Sequence, residues 1–253
     1  MQNFEKARPT FPKRGLFIGI GVMVFLMLVA GVIWFKISAP PKRINISGLA
    51  LGMALIPDAA SSNGKKDSAS YDPYYMAETE VTYGQWKKVY DWAVKHGYTF
   101  INGGQPGIYA SGHENYPVTN ISWWDCIAWC NALTEYSNSV AGTRYSCVYQ
   151  YKGVIARDLG YFGRRAVNAD FHSKGFRLPL SMERERVVHY PDLNGSVSEW
   201  CFDGFLNRHA PARLNRGMSW FCDKDSILRI VKIGDNPPLH ADAHLGFRIA
   251  RSL

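Results

Sequence analysis

Asn215-Arg-Gly-Met-Ser-Trp-Phe-Cys222, followed after an interval by Leu245-Gly-Phe-Arg248, is the stretch on which the reading of this chain turns. Gly217, between Arg216 and a Ser219-Trp220 pair, lets the backbone pass close to its neighbours, and Trp220 is large enough to anchor a core. Together the two pieces read as a C-terminal core signature that carries one cysteine. Whether Cys222 is a chemical group or an idle thiol decides the function.

Working outward, 253 residues with 47% apolar and 14% aromatic content are ample for a packed domain. The formal charge is +8, but residues 1–48 hold seven bases and one acid, or +6, which leaves +2 on the remainder. The basic balance therefore flanks one apolar run and gives no nucleic-acid surface. That run, Gly15 to Phe35, is uncharged. At about 1.5 Å per helical residue it can cross ~30 Å of hydrocarbon. It predicts a single transmembrane helix over 15–35, with a cytoplasmic tail at 1–14, a linker at 36–48 and one domain over 49–253. Four bases precede the run and three follow it, which points to an extracytoplasmic domain on a membrane anchor. Ile37-Ser-Ala39 before Pro40-Pro41 is a poor cleavage site, so the anchor is expected to be retained.

Within the domain, Leu49 to Pro57 and Tyr74 to Glu80 read as strands, and two helix starts carry capping boxes. Thr82 with Gln85 opens one helix, whose stripe is Trp86, Val89, Tyr90 and Ala93; Ser122 with Asp125 opens the other, with Trp123, Ile127 and Cys130 inward. Lys152-Gly153 sits in an alternating segment and predicts a hairpin. Leu180 to Val188 reads only as a charged segment. Short strands, long loops and few helices predict an irregular α+β domain. The five cysteines are an odd number, and Cys126 and Cys130, four apart on a helix, are expected as small buried side chains.

Seven pieces then fall in one order: Met53 to Pro57, Glu78 to Thr82, Pro117 to Trp123, Gly175 to Pro179, Gly195 to Trp200, Arg216 to Trp220 and Leu245 to Arg248. In that order they resemble the formylglycine-generating enzyme, or sulfatase-modifying factor, family. The resemblance covers 49–253 and implies a C-type-lectin-like α+β fold with a small twisted antiparallel sheet, two main helices and much loop. It gives Trp123, Trp200, Gly217, Ser219, Trp220, Gly246 and Arg248 a structural role.

In catalytic members of that family two cysteines near the Gly-Ser-Trp motif bind copper(I) and oxidise a substrate cysteine with oxygen. A linear copper(I) site needs two soft thiolates. Cys222 matches the first position, but Ile227 occupies the second, and no cysteine follows. Copper is therefore not expected. Asp192, Gly195, Val197 and Glu199 fall at the spacing of a family calcium loop, two by side chain and two by carbonyl. An Asn194-Gly195 turn with solvated carboxylates is the other reading of the same residues.

Three functions follow. The first is a membrane-anchored binding or assembly module of the cell envelope, with a protein partner there and without oxidase chemistry. The second is an active formylglycine-generating oxidase that uses Cys222 with another thiol such as Cys201. The third is a ligand-display domain whose loop 221–244 varies between copies.

Overall fold

The computed structural model describes residues 42–57, 72–107, 113–158, 167–187, 197–206, 211–217 and 233–253. The apolar run 15–35 lies outside these residues. Among the described residues no helix is long and apolar enough to cross a membrane. In chain order the elements are β1 (Arg43–Ile46), β2 (Leu51–Ile56), β3 (Tyr74–Ala77), α1 (Tyr83–Val94), β4 (Gln105–Pro106) and β5 (Val118–Thr119). Next come α2 (Trp123–Ala141), β6 (Tyr149–Tyr151), β7 (Val154–Ile155), β8 (Asn168–Ala169), β9 (Phe176–Arg177) and α3 (Ser181–Arg186). The chain closes with β10 (Ser198–Leu206), β11 (Pro211–Arg216), β12 (Ile233–Asn236), β13 (Leu245–Gly246) and β14 (Ala250–Ser252).

A five-stranded antiparallel sheet runs β1-β2-β3-β14-β9, so the last strand of the chain pairs with an early one. A four-stranded sheet runs β12-β11-β10-β13, in which only the β10–β13 pair is parallel. Two smaller sheets, β4-β5 and β7-β6-β8, complete the set. β1 corrects the sequence reading: Arg43 to Ile46, assigned to the linker because it follows Pro and basic residues, pairs residue for residue with β2. The Lys152-Gly153 turn forms as expected, with φ of 49° and 77°, the left-handed pair that matches hairpin twist.

Both predicted helix starts are present with their reciprocal caps. The Gln85 side chain accepts from Thr82 N–H at 2.9 Å, and Asp125 Oδ2 accepts from Ser122 N–H at 2.8 Å. Asp125 does more than cap: fully buried, it also accepts from the Ile101 and Asn102 amides and from the Asn102 side chain, and so holds the 101–102 loop against the helix. α2 is not buried on one face only. From Trp123 to Ser137 nearly every residue is enclosed, because Trp-Trp-Asp-Cys-Ile-Ala-Trp-Cys leaves no polar side for water. A helix apolar all round belongs inside, and the sheets and α1 close over it.

The C-terminal motif completes this core. Phe247 meets Trp86 edge-on at 5.9 Å and Trp129 at 5.3 Å, while Trp86 and Trp129 stack with rings 4° from parallel. One aromatic from the Leu245-Gly-Phe-Arg248 stretch thus sits against an indole from each long helix. Gly246 makes the approach possible, since a Cβ there would lie 2.6 Å from the Val118 carbonyl oxygen.

Candidate functional site

The described signature residues converge on one buried carboxylate. Glu199, on β10, has both oxygens taken by two guanidinium groups. Oε2 accepts from Arg184 Nε and Arg248 Nε, each at 2.7 Å, and Oε1 accepts from Arg184 Nη2 at 3.0 Å and Arg248 Nη2 at 2.9 Å. Glu199 and Arg248 are completely enclosed and Arg184 nearly so. Arg248 also donates from Nη1 to the Ala77 carbonyl at 3.0 Å, which ties the C-terminal motif to β3. Burial alone would raise the Glu199 pKa; the Arg184 and Arg248 charges reverse this and hold it at about 2.

α3, read from sequence only as a charged segment, supplies the surrounding shell. Its N-cap Leu180 has no side-chain oxygen, so Glu183 Oε2 reaches back to the Leu180 N–H at 2.8 Å. Glu183 is also paired, fully buried, with Arg177 at 2.6 and 2.7 Å. Arg216, from the opening signature, donates to Ser181 Oγ at 2.6 Å and to Glu185 at 3.0 Å. Each charge of Glu183-Arg-Glu185 therefore meets an opposite charge from elsewhere in the fold. The acid-base alternation after Leu178-Pro179 was the available sequence signal, but alternation alone also describes a solvated helix face.

Gly217 follows Arg216 with a φ of +87°, a backbone state that suits glycine, and its carbonyl accepts from Ser198 Oγ at 3.3 Å. Ser219, Trp220, Cys222 and Ile227 lie beyond it, outside the described residues. Trp123 and Trp200 are fully buried, as expected, and bond to the Cys201 and Ile121 carbonyls. Of the stretch 221–244, residues 233–236 are β12, paired along β11, and the following residues lie on the α2 N-terminus, where Trp123 N–H donates to the Pro238 carbonyl at 3.1 Å.

The described thiols are all enclosed. Cys126, Cys130, Cys147 and Cys201 are unbridged and buried. Burial raises all four pKa values, that of Cys147 up to about 12, which favours the protonated thiol. Ile227 stands at the position where the resemblance places the second thiolate. Of the four residues at the calcium-loop spacing, Asp192 and Gly195 lie outside the described residues, Val197 is buried, and the Glu199 carboxylate is paired with two arginines. Among the described residues no group of three His, Cys, Asp or Glu could hold one metal ion.

The sequence of residues 52–253 matches the sulfatase-modifying factor enzyme 1-like domain. The chain belongs to that family. Similar solved structures share its fold. They include CarF, with a TM-score of 0.61 at 19% identity, covering 74% of this chain and 88% of that one. Variable protein 1 of Treponema denticola aligns with a TM-score of 0.59 at 20% identity, over 85% of this chain and all of that one. PvdO from Pseudomonas aeruginosa gives 0.56 at 13%, again over 85% and 100%. No curated protein matches the chain in sequence. Within the sulfatase-modifying factor fold, Glu199, Arg248 and Arg184 form a buried structural centre that joins β10, α3 and the C-terminal motif.

Proposed function

We propose that this chain is a sulfatase-modifying-factor domain without oxidase activity, held at a membrane by residues 15–35, that works as a binding or assembly module of the cell envelope with a protein partner. The observation that carries the reading is the broken cysteine pair: Cys222 has isoleucine where the second thiolate belongs, and the four described cysteines are buried thiols. Retention of the whole folded frame beside a lost ligand pair favours binding over chemistry. The ligand-display alternative keeps loop 221–244, of which 233–236 pair with β11.

To test it, the full chain in detergent is loaded with copper and incubated in air with a Cys-x-Pro-x-Arg peptide, beside an active family member. The peptide is expected to keep its thiol mass with this chain and lose it with the control. An aldehyde product formed by this chain would restore the oxidase reading. For the anchor, the uncharged run and its basic flanks predict that the full chain stays with the membrane pellet after an alkaline carbonate wash. Release into the supernatant would remove the anchor from the proposal.

A further inference from the structure

Far from the signature motifs, the C-terminal halves of the two long helices and the segment after β7 enclose an open cleft of about 500 Å³, lined by Trp92, His96, Glu135, Asn138, Ser139 and Arg157. This is within the usual range for small-molecule clefts, roughly 300–1,000 Å³. The α2 N-terminus lies against the Pro237-Pro238 loop, whereas Glu135 and Ser139 are 12 and 16 residues further along the helix from Trp123. At about 1.5 Å per residue that is roughly 18–24 Å away. None of the described residues of the carboxylate centre lines it.

The polar groups are arranged rather than scattered. Glu135 is held by three donors: the Tyr98 hydroxyl at 2.6 Å, Arg157 Nε at 3.2 Å, and Arg157 Nη2 in a close ion pair. The pair cancels its own charge, so the site favours neither a free anion nor a cation. Arg157 Nη1 keeps its hydrogens without a partner among the described residues, on a side chain 42% exposed. His96 stacks on Trp92 at 3.8 Å with the rings 13° from parallel, and its Nδ1 lies 2.7 Å from the Trp92 carbonyl. A carbonyl only accepts, so Nδ1 carries the hydrogen, and Nε2 is the ring nitrogen left to meet a ligand. Ser139 is exposed; its hydroxyl hydrogen goes to the Tyr136 carbonyl, and its oxygen can still accept. One wall thus offers a flat aromatic stack, and the rest offers a fixed donor beside acceptors, with the Glu135 and Arg157 charges paired to each other.

We propose that this cleft binds a neutral, polyhydroxylated ligand of monosaccharide size. Its apolar ring face lies on the Trp92–His96 stack, and its hydroxyls meet the Arg157 Nη1 donor and the exposed Ser139 oxygen. A hydroxyl is the group that satisfies a donor and an acceptor at one position. The ring face excludes water from the stack, which a charged ligand cannot do without losing its own hydration.

The full chain, labelled with nitrogen-15 at its tryptophan indoles and held in detergent, is titrated with methyl glucoside, methyl N-acetylglucosaminide and inositol to roughly 10 mM, with glycerol as the polyol that has no ring face. At least one cyclic probe is expected to shift the Trp92 indole, assigned by Trp92→Phe, and glycerol to leave it unmoved. His96→Ala and the cleft-filling Ser139→Trp are expected to weaken binding at least tenfold with unaltered thermal midpoints, since both residues are exposed. No shift with any cyclic probe, an equal shift with glycerol, or affinity unchanged in both variants would overturn the proposal.

Discussion

Glu199→Gln is expected to lower the free energy of unfolding by about 3–5 kcal/mol, because it removes the anion between two buried guanidinium groups and leaves both uncompensated. The glutamine side chain has the right shape but turns an amide N–H toward a donor. A urea titration measures the loss as a shift in midpoint at constant slope. The exposed Lys87–Asp91 pair, about half accessible on both sides, is the control: Asp91→Ala is expected to cost at most about 0.5 kcal/mol. A comparable loss in the two variants would mean that the buried centre is not a stability determinant. The pH dependence has a definite sign. Glu199 titrates at about 2 in the fold against an ordinary 4.5, so its contribution is present in full above pH 4.5 and disappears as pH falls toward 2. The wild type is expected to lose roughly 3 kcal/mol over that window through this group, and Glu199→Gln to lack this part of the acid slope.

Trp86→Ala is expected to be as damaging, at about 3–5 kcal/mol. Trp86 is fully buried and stacks on Trp129 at 5.8 Å, with Phe247 and Phe100 against its edges. Its indole N–H donates to the Gly103 carbonyl at 2.8 Å, and its own carbonyl accepts from the Trp129 indole at 3.1 Å. Truncation opens a cavity at the point where α1, α2 and the C-terminal motif meet, and orphans a carbonyl. Trp86→Phe fills most of the space and should recover part of the loss, leaving about 1–3 kcal/mol for the unmade hydrogen bond and the poorer stack. Thermal unfolding followed by near-ultraviolet dichroism reads both effects, because it reports the loss of fixed aromatic packing. A loss under about 1 kcal/mol for the alanine variant would show that the core closes without this residue.

Elements with a local code were legible from sequence. Thr82 with Gln85, Ser122 with Asp125, and the Lys152-Gly153 turn each carry their instructions within four residues, and each forms as read. The seven ordered motifs likewise located the family, over 52–253. The candidate site was less readable. Cys222 and Ile227 could be compared by type, but Glu199 was read as a possible cation ligand because spacing records which oxygens are near in sequence and not which charges meet them in space. Arg184 is 15 residues from Glu199 and Arg248 is 49 away on the other side.

What the sequence alone determined is therefore the set of capped helices, the hairpin, the family and the loss of the second cysteine, all short-range or ordered facts. Only the tertiary structure decided that β1 joins the sheet, that Glu183 and Arg184 of α3 face inward, and that Glu199 is neutralised by two arginines. Those outcomes depend on long-range pairing, in which a strand edge or a buried charge is stabilised by whichever distant partner the closed core brings to it.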